Sequence, residues 1–161
     1  MKIIYVHHAM REKGKPPSQL DDITSLGEKD AGLYAEIFNL VKDNGINIKA
    51  IYTSPFLRCK KTSEIINSKM KVPIFEEDRF NEFGSEEGES WVDLQKRVRL
   101  GIKDIVAKYN NEDAVICVTS GVNVVSFISL AYKLKPSESA PFIGIVSCSP
   151  LIFEITNENF D

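Results

Sequence analysis

Histidine is nearly absent from this 161-residue chain, and the only two, His7 and His8, stand side by side. Tryptophan occurs once and cysteine three times, at Cys59, Cys117 and Cys148. The cysteines form neither an even set nor a close Cys-x-x-Cys pair, which argues against a disulfide framework or a structural zinc site and for a reduced, cytoplasmic protein. No apolar run has the length that crosses a bilayer, and the N-terminus lacks the charged, apolar and small-residue segments of a secretory signal. Positive charge is not in excess either. A formal net charge of -3 and a pI near 5.5 give no global attraction to nucleic acid or to an anionic membrane. Function must therefore reside in a site.

What is present is a 43% hydrophobic composition, sufficient for one core, so residues 1–161 are expected to form a single domain. The opening KIIYVH is a short β-branched run that ends at polar residues, as a buried strand does when it delivers its last side chains to a site. REKGKPPSQLDD follows, with Gly, paired Pro and mixed charge, and should be a mobile, exposed loop. Helical spacing of Leu33, Tyr34, Ile37, Phe38, Leu40 and Val41 predicts an amphipathic helix from Leu26 to Asn44, stopped at Asn44-Gly45. IKAIYT predicts a second strand, and Ser54-Pro55 an N-cap and first turn for a helix running to about Met70.

VPIF predicts a third strand, and the acidic stretch from Glu76 to Glu89 a loop. Ser90 should cap a long helix with Trp91, Leu94, Val98, Ile102 and Ile105 on one face. AVICVT is a wholly apolar fourth strand, Val122–Leu134 a helix, and FIGIVS and LIFEIT a closing pair of strands. The alternation predicts an α/β fold of three layers, α/β/α, with a mostly parallel sheet and helices on both faces. Functional groups then belong beyond the strand C-termini, where His7-His8 and Thr119-Ser120 both fall.

Several nucleophile motifs can be set aside. Cys117 is followed six positions later by Asn123 rather than arginine, so a cysteine-phosphatase loop lacks its phosphate ligand. Val118 and Val122 replace the glycines of a G-x-S-x-G elbow around Ser120. No Walker or dinucleotide glycine pattern occurs. Successive strand side chains point to opposite faces, so His7 and His8 are not expected to share a metal ion, and no third ligand has suitable spacing. By residue type alone, two adjacent histidines are more often packing or surface residues than catalysts.

Several segments, in order and over nearly the whole chain, resemble the histidine phosphatase superfamily, the phosphoglycerate mutase-like proteins with an Arg-His-Gly signature after the first strand. YVHHAMRE lies where that signature falls, LGEKDAG resembles the following helix start, and TSPFLRCKKTSE the second-strand segment with its phosphate-binding arginine. GESWVDLQKRV and AVICVTSGVNVV resemble later segments. The resemblance implies a phosphoglycerate mutase-like fold and places the nucleophilic histidine on His8 and the phosphate clamp on Arg58. It implies a metal-independent phosphomonoesterase without cofactor, acting on a phosphorylated small molecule or a phosphoprotein.

Two positions depart from the pattern: the family's first arginine corresponds to His7, and its second histidine to Ser120. Both can still donate hydrogen bonds, but each weakens the charge facing a phosphoryl group. A site of low activity, or a noncatalytic binder of phosphorylated ligands, is the alternative. DRFNE resembles the segment that ends in the family's proton donor and places it on Glu82, whereas counting back from FGSEEG places Phe80 there. A solvated glutamate is the plain reading of Glu82, as an exposed helix arginine is of Arg58. Arg11, in the loop after the His pair, could reach the position of the missing arginine, or remain a surface residue beside Lys13 and Lys15 that draws anions to the entrance. The resemblance leaves the oligomeric state open.

Overall fold

The computed structural model describes residues 1–12, 18–85, 87–135 and 148–155. Among these residues five strands form one sheet: β1 (Lys2–His7), β2 (Asn47–Thr53), β3 (Ile74–Glu76), β4 (Asp113–Thr119) and β5 (Pro150–Glu154). Their order is β3-β2-β4-β1-β5, with every pair parallel except β1 with β5. The mostly parallel expectation holds because the central strands β1 and β4 carry apolar side chains on both faces and need cover on both. Among the described residues four helices supply that cover: α1 (Ser25–Asp43), α2 (Leu57–Met70), α3 (Trp91–Val106) and α4 (Gly121–Ala131).

Strand alternation divides the core in two. Ile3, Tyr5, Val115 and Cys117 pack with Leu94, Val98, Ile102 and Ile105 of α3 and Phe127 of α4. Ile4, Val6, Ile116 and Val118 pack on the other face with Ala31 and Phe38 of α1 and Ile66 and Met70 of α2. The face expected of α3 is buried at those four positions, with Trp91 partly covered, and Ser90 closes a capping box with Asp93. The predicted FIGIVS strand lies outside the described residues; LIFEIT lies mainly in β5, which pairs antiparallel with β1.

Three expectations are corrected. Helix α2 begins at Leu57 with Phe56 as its N-cap, so Ser54 does not cap it. Ser54 instead donates its hydroxyl to Asn81 Oδ1 at 3.3 Å. The acidic stretch is not wholly loop, since Glu76 ends β3 and Asp78–Phe80 form a 3-10 turn that buries Phe80 completely. Third, α1 turns Gly27, Ala31, Ala35 and Phe38 inward, while Leu33, Ile37 and Leu40 face outward. Small residues win the inner face because the helix packs close to the chain: a Cβ on Gly27 would stand 2.6 Å from the Met10 carbonyl.

Candidate active site

The site is built where β1 and β4 end together. His7 is in register with Thr119, and the His8 amide donates to the Thr119 carbonyl at 2.9 Å, so His8 and Ser120 emerge from adjacent strands. The next residue is tied to α2, because the Ala9 amide donates to Thr62 Oγ1 at 2.9 Å while that hydroxyl donates to the Arg58 carbonyl at 2.6 Å. Thr62 lies one helical turn after Arg58, and this i, i+4 relation was the available sequence signal for its role.

His8 is buried, and its two ring nitrogens have different partners. Nδ1 is 2.8 Å from the Ala9 carbonyl, and Nε2 is 3.1 Å from Arg58 Nε. A carbonyl only accepts and a guanidinium only donates, so Nδ1 carries the proton and Nε2 presents its lone pair. Burial pulls the His8 pKa down to about 3; the neighbouring charges of His7, Arg58 and Arg11 act in the same direction, against the Ala9 carbonyl. His8 is a neutral imidazole at physiological pH.

Arg58 is not an exposed helix arginine. It is fully buried, with Nε on His8, Nη1 donating to the Ser18 carbonyl at 2.7 Å, Nη2 paired with the Glu82 carboxylate, and its guanidinium 4.8 Å from the Phe56 ring centre. The fork thus joins the nitrogen lone pair to a carboxylate that is about a quarter exposed. Glu82 faces the site, and Phe80 is committed to the core.

The loop bearing Glu82 is held by Thr119, which the sequence placed at the strand end, and by Asn123 and Arg97, to which it gave no role in the site. Thr119 Oγ1 donates to the Phe80 carbonyl at 2.7 Å, and Asn123 Nδ2 donates to the Asn81 carbonyl at 2.7 Å and to Ser120 Oγ at 3.0 Å. Arg97, paired with the buried Glu89, donates to the carbonyls of Arg79 at 2.7 Å and Glu82 at 3.2 Å. For Asn123 the signal was an amide side chain in the first turn of a mostly apolar helix.

The His7 ring meets the His8 ring edge-on, with centres 4.4 Å apart. The expectation that the two rings point apart does not hold at this strand end, since β1 stops at His7 and His8 lies beyond the regular strand alternation. A Cβ on Gly121 would lie 3.5 Å from His7 Cε1, which places that ring at the start of α4. Ser120 is buried as the N-cap of α4 without using its hydroxyl as a cap. Arg11 lies farther out, with Nη1 donating to Asp21 Oδ2 at 3.2 Å, while Lys13 and Lys15 lie outside the described residues. Among the described residues no three His, Cys, Asp or Glu side chains cluster to hold a metal ion, and no helix is long and apolar enough to cross a membrane.

A buried neutral imidazole beside a guanidinium, beyond the ends of two parallel strands, defines a site suited to phosphoryl groups. The sequence matches the histidine phosphatase superfamily (branch 1) over residues 13–88 and 83–161, and the chain belongs to that superfamily. Both matched stretches begin after His8, so membership rests on the rest of the chain. No curated protein matches the sequence. Among solved structures, Bacillus stearothermophilus YhfR is similar with a TM-score of 0.78 and 19% identity, covering 97% of this chain and 92% of that one. A phosphoserine phosphatase mutant from Entamoeba histolytica, in complex with phosphoserine, has a TM-score of 0.77 and 16% identity over 98% and 92% of the two chains. The mycobacterial glucosyl-3-phosphoglycerate phosphatase has a TM-score of 0.71 and 16% identity over 94% and 88%. These likenesses establish the phosphoglycerate mutase-like fold.

Proposed function

We propose that the chain is a phosphomonoesterase that works through a phosphohistidine at His8, with slow turnover. The observation that carries this reading is the fixed tautomer of a buried, neutral His8, whose Nε2 lone pair points at the Arg58 fork. An incoming phosphate takes the place of Glu82 on Nη2 and of the imidazole on Nε. Nε2 then attacks phosphorus, the ester P–O bond breaks, and the leaving oxygen receives a proton relayed by Glu82, which, once released from Arg58, takes it from the incoming phosphomonoester monoanion. Water attacks the phosphohistidine, Glu82 takes the proton back, and phosphate departs.

His7, Ser120 and the first amides of α4 supply neutral or titratable donors where a permanent cation would stabilise the transferring group better. If each weakened donor costs roughly 10²- to 10³-fold, turnover falls by orders of magnitude, though such losses do not add. A second reading, a binder of phosphorylated ligands without turnover, is favoured by the Arg58–Glu82 pair, which a ligand must open. The ligand classes this reading takes are phosphorylated small molecules and phosphoproteins, because the connection from Glu82 to Ser90 is short and adds no large segment dedicated to one substrate.

The test is incubation with labelled phosphomonoesters and trapping of an acid-labile, base-stable phosphoenzyme. Label lost in His8→Ala and retained in wild type supports the enzyme. Label that survives in His8→Ala removes His8 as nucleophile. Thermal stabilisation by phosphate or vanadate without any labelling assigns the binder.

A further inference from the structure

Helix α1 is apolar on two opposite faces. Gly27, Ala31, Ala35 and Phe38 pack inward, yet Leu26, Leu33, Ile37 and Leu40 are 53%, 64%, 47% and 63% exposed. At about 100° per residue these four lie within roughly 60° of one another, in a stripe about 21 Å long. Among the described residues nothing covers it. The spacing is that of a heptad seam, with Leu26, Leu33 and Leu40 seven residues apart and Ile37 between the last two.

We infer that this stripe docks against the same stripe of a second copy, with the two α1 helices antiparallel about a two-fold axis at Leu33. Leu26 then meets the partner's Leu40, and Leu33 meets its own equivalent. The charges flanking the seam support this occupant. Lys29 and Glu36 lie on the same side of the stripe, both exposed, one turn either side of Leu33. In an antiparallel pair that flank faces itself, so each Lys29 comes level with the partner's Glu36, giving two opposite-charge pairs; a parallel pair would set the same flank against the partner's opposite flank, the side of Tyr34 and Val41, and form no such pairs. Within its own chain Glu36 reaches Lys69 of α2 at 2.5 Å, and the second cation would share that carboxylate from the open side.

One helix pair buries less than the about 1,600 Å² of a standard interface, so the dimer is concentration-dependent and not obligate. The interface is on the outer helical layer and is independent of the catalytic reading.

Sedimentation equilibrium of the full chain over a concentration series reads the association. The expected result is a reversible dimer whose Kd rises at least about tenfold in Leu33→Asp, a central, exposed position. Lys29→Glu and Glu36→Lys should each raise Kd about threefold, and the double charge swap should restore it, because only the antiparallel register reunites the exchanged charges. Leu33→Cys should form an intermolecular disulfide on oxidation, against a background of native cysteines that are all buried. A monomer at every concentration overturns the proposal, as does a dimer indifferent to Leu33→Asp or a double swap no better than the single changes. Flotation of the monomeric wild type with anionic vesicles, lost in Leu33→Asp, would assign the stripe to a lipid surface and also overturn it.

Discussion

Replacing Arg58 with Met tests the centre of the site most directly, because the two readings of that residue differ in energy. An arginine on an exposed helix surface can be lost for within about 0.5 kcal/mol. Here the side chain is 1% exposed and its fork serves His8, Ser18 and Glu82. Methionine occupies much of the volume but donates nothing, so His8 Nε2 becomes a buried acceptor without a partner, at a cost of about 1–3 kcal/mol. Glu82 loses its counter-ion but keeps about a quarter of its side chain in solvent, and Ser18 is exposed, so both recover hydration. The net loss should be about 2–3 kcal/mol, below the about 3–5 kcal/mol for breaking a fully buried pair. Urea unfolding at neutral pH with an unchanged m-value measures it. Adding Glu82→Gln to the Met variant should cost less than in wild type, because the carboxylate is no longer paired, giving a coupling of about 1 kcal/mol. A loss under about 1 kcal/mol for Arg58→Met, or strict additivity with Glu82→Gln, would refute the buried-fork account.

Other consequences follow from the same geometry. With the His8 pKa near 3 in the folded state and about 6.5 unfolded, the unfolded chain binds the extra proton between those values; stability is therefore full above about pH 6.5 and drains as pH falls, by about 2 kcal/mol from pH 7 to pH 5. His8→Gln should flatten that part of the urea-measured profile, and equal slopes in the two proteins would exclude His8 as its source. Asn123→Ala removes the donors that hold Phe80, Asn81 and Ser120 and should cost about 1–2 kcal/mol, moderated because Asn123 Oδ1 is itself buried without a partner. If the loop matters for proton delivery, kcat should fall more than KM changes in that variant. His7→Arg with Ser120→His restores charge around the phosphoryl group and should raise kcat/KM at least about tenfold; a folded double variant with no gain contradicts the pocket assignment.

Period and punctuation in the chain were enough to indicate alternating strands and helices, the parallel sheet, and the strand end at His7, since an apolar run buried on both faces has few other places to go. They misjudged α1, because periodicity reports that a face is apolar but not which of two apolar faces meets the sheet. Close approach at Gly27 settled that in favour of the small residues. Likewise Arg58 could be a surface or a site residue by spacing alone, and burial chose between them.

The identities of His8, Arg58 and Glu82 are properties of the sequence, and so are the substitutions at His7 and Ser120, because each is a matter of which chemical group stands at which position. Their relations belong to the tertiary structure. The tautomer of His8, the capture of Arg58 by Glu82, and the anchoring of that loop by Thr119 and Asn123 join residues far apart in the chain. Hydrogen bonds of that kind depend on distances of a few ångströms between elements, and no local pattern encodes them until the sheet has brought its strand ends together.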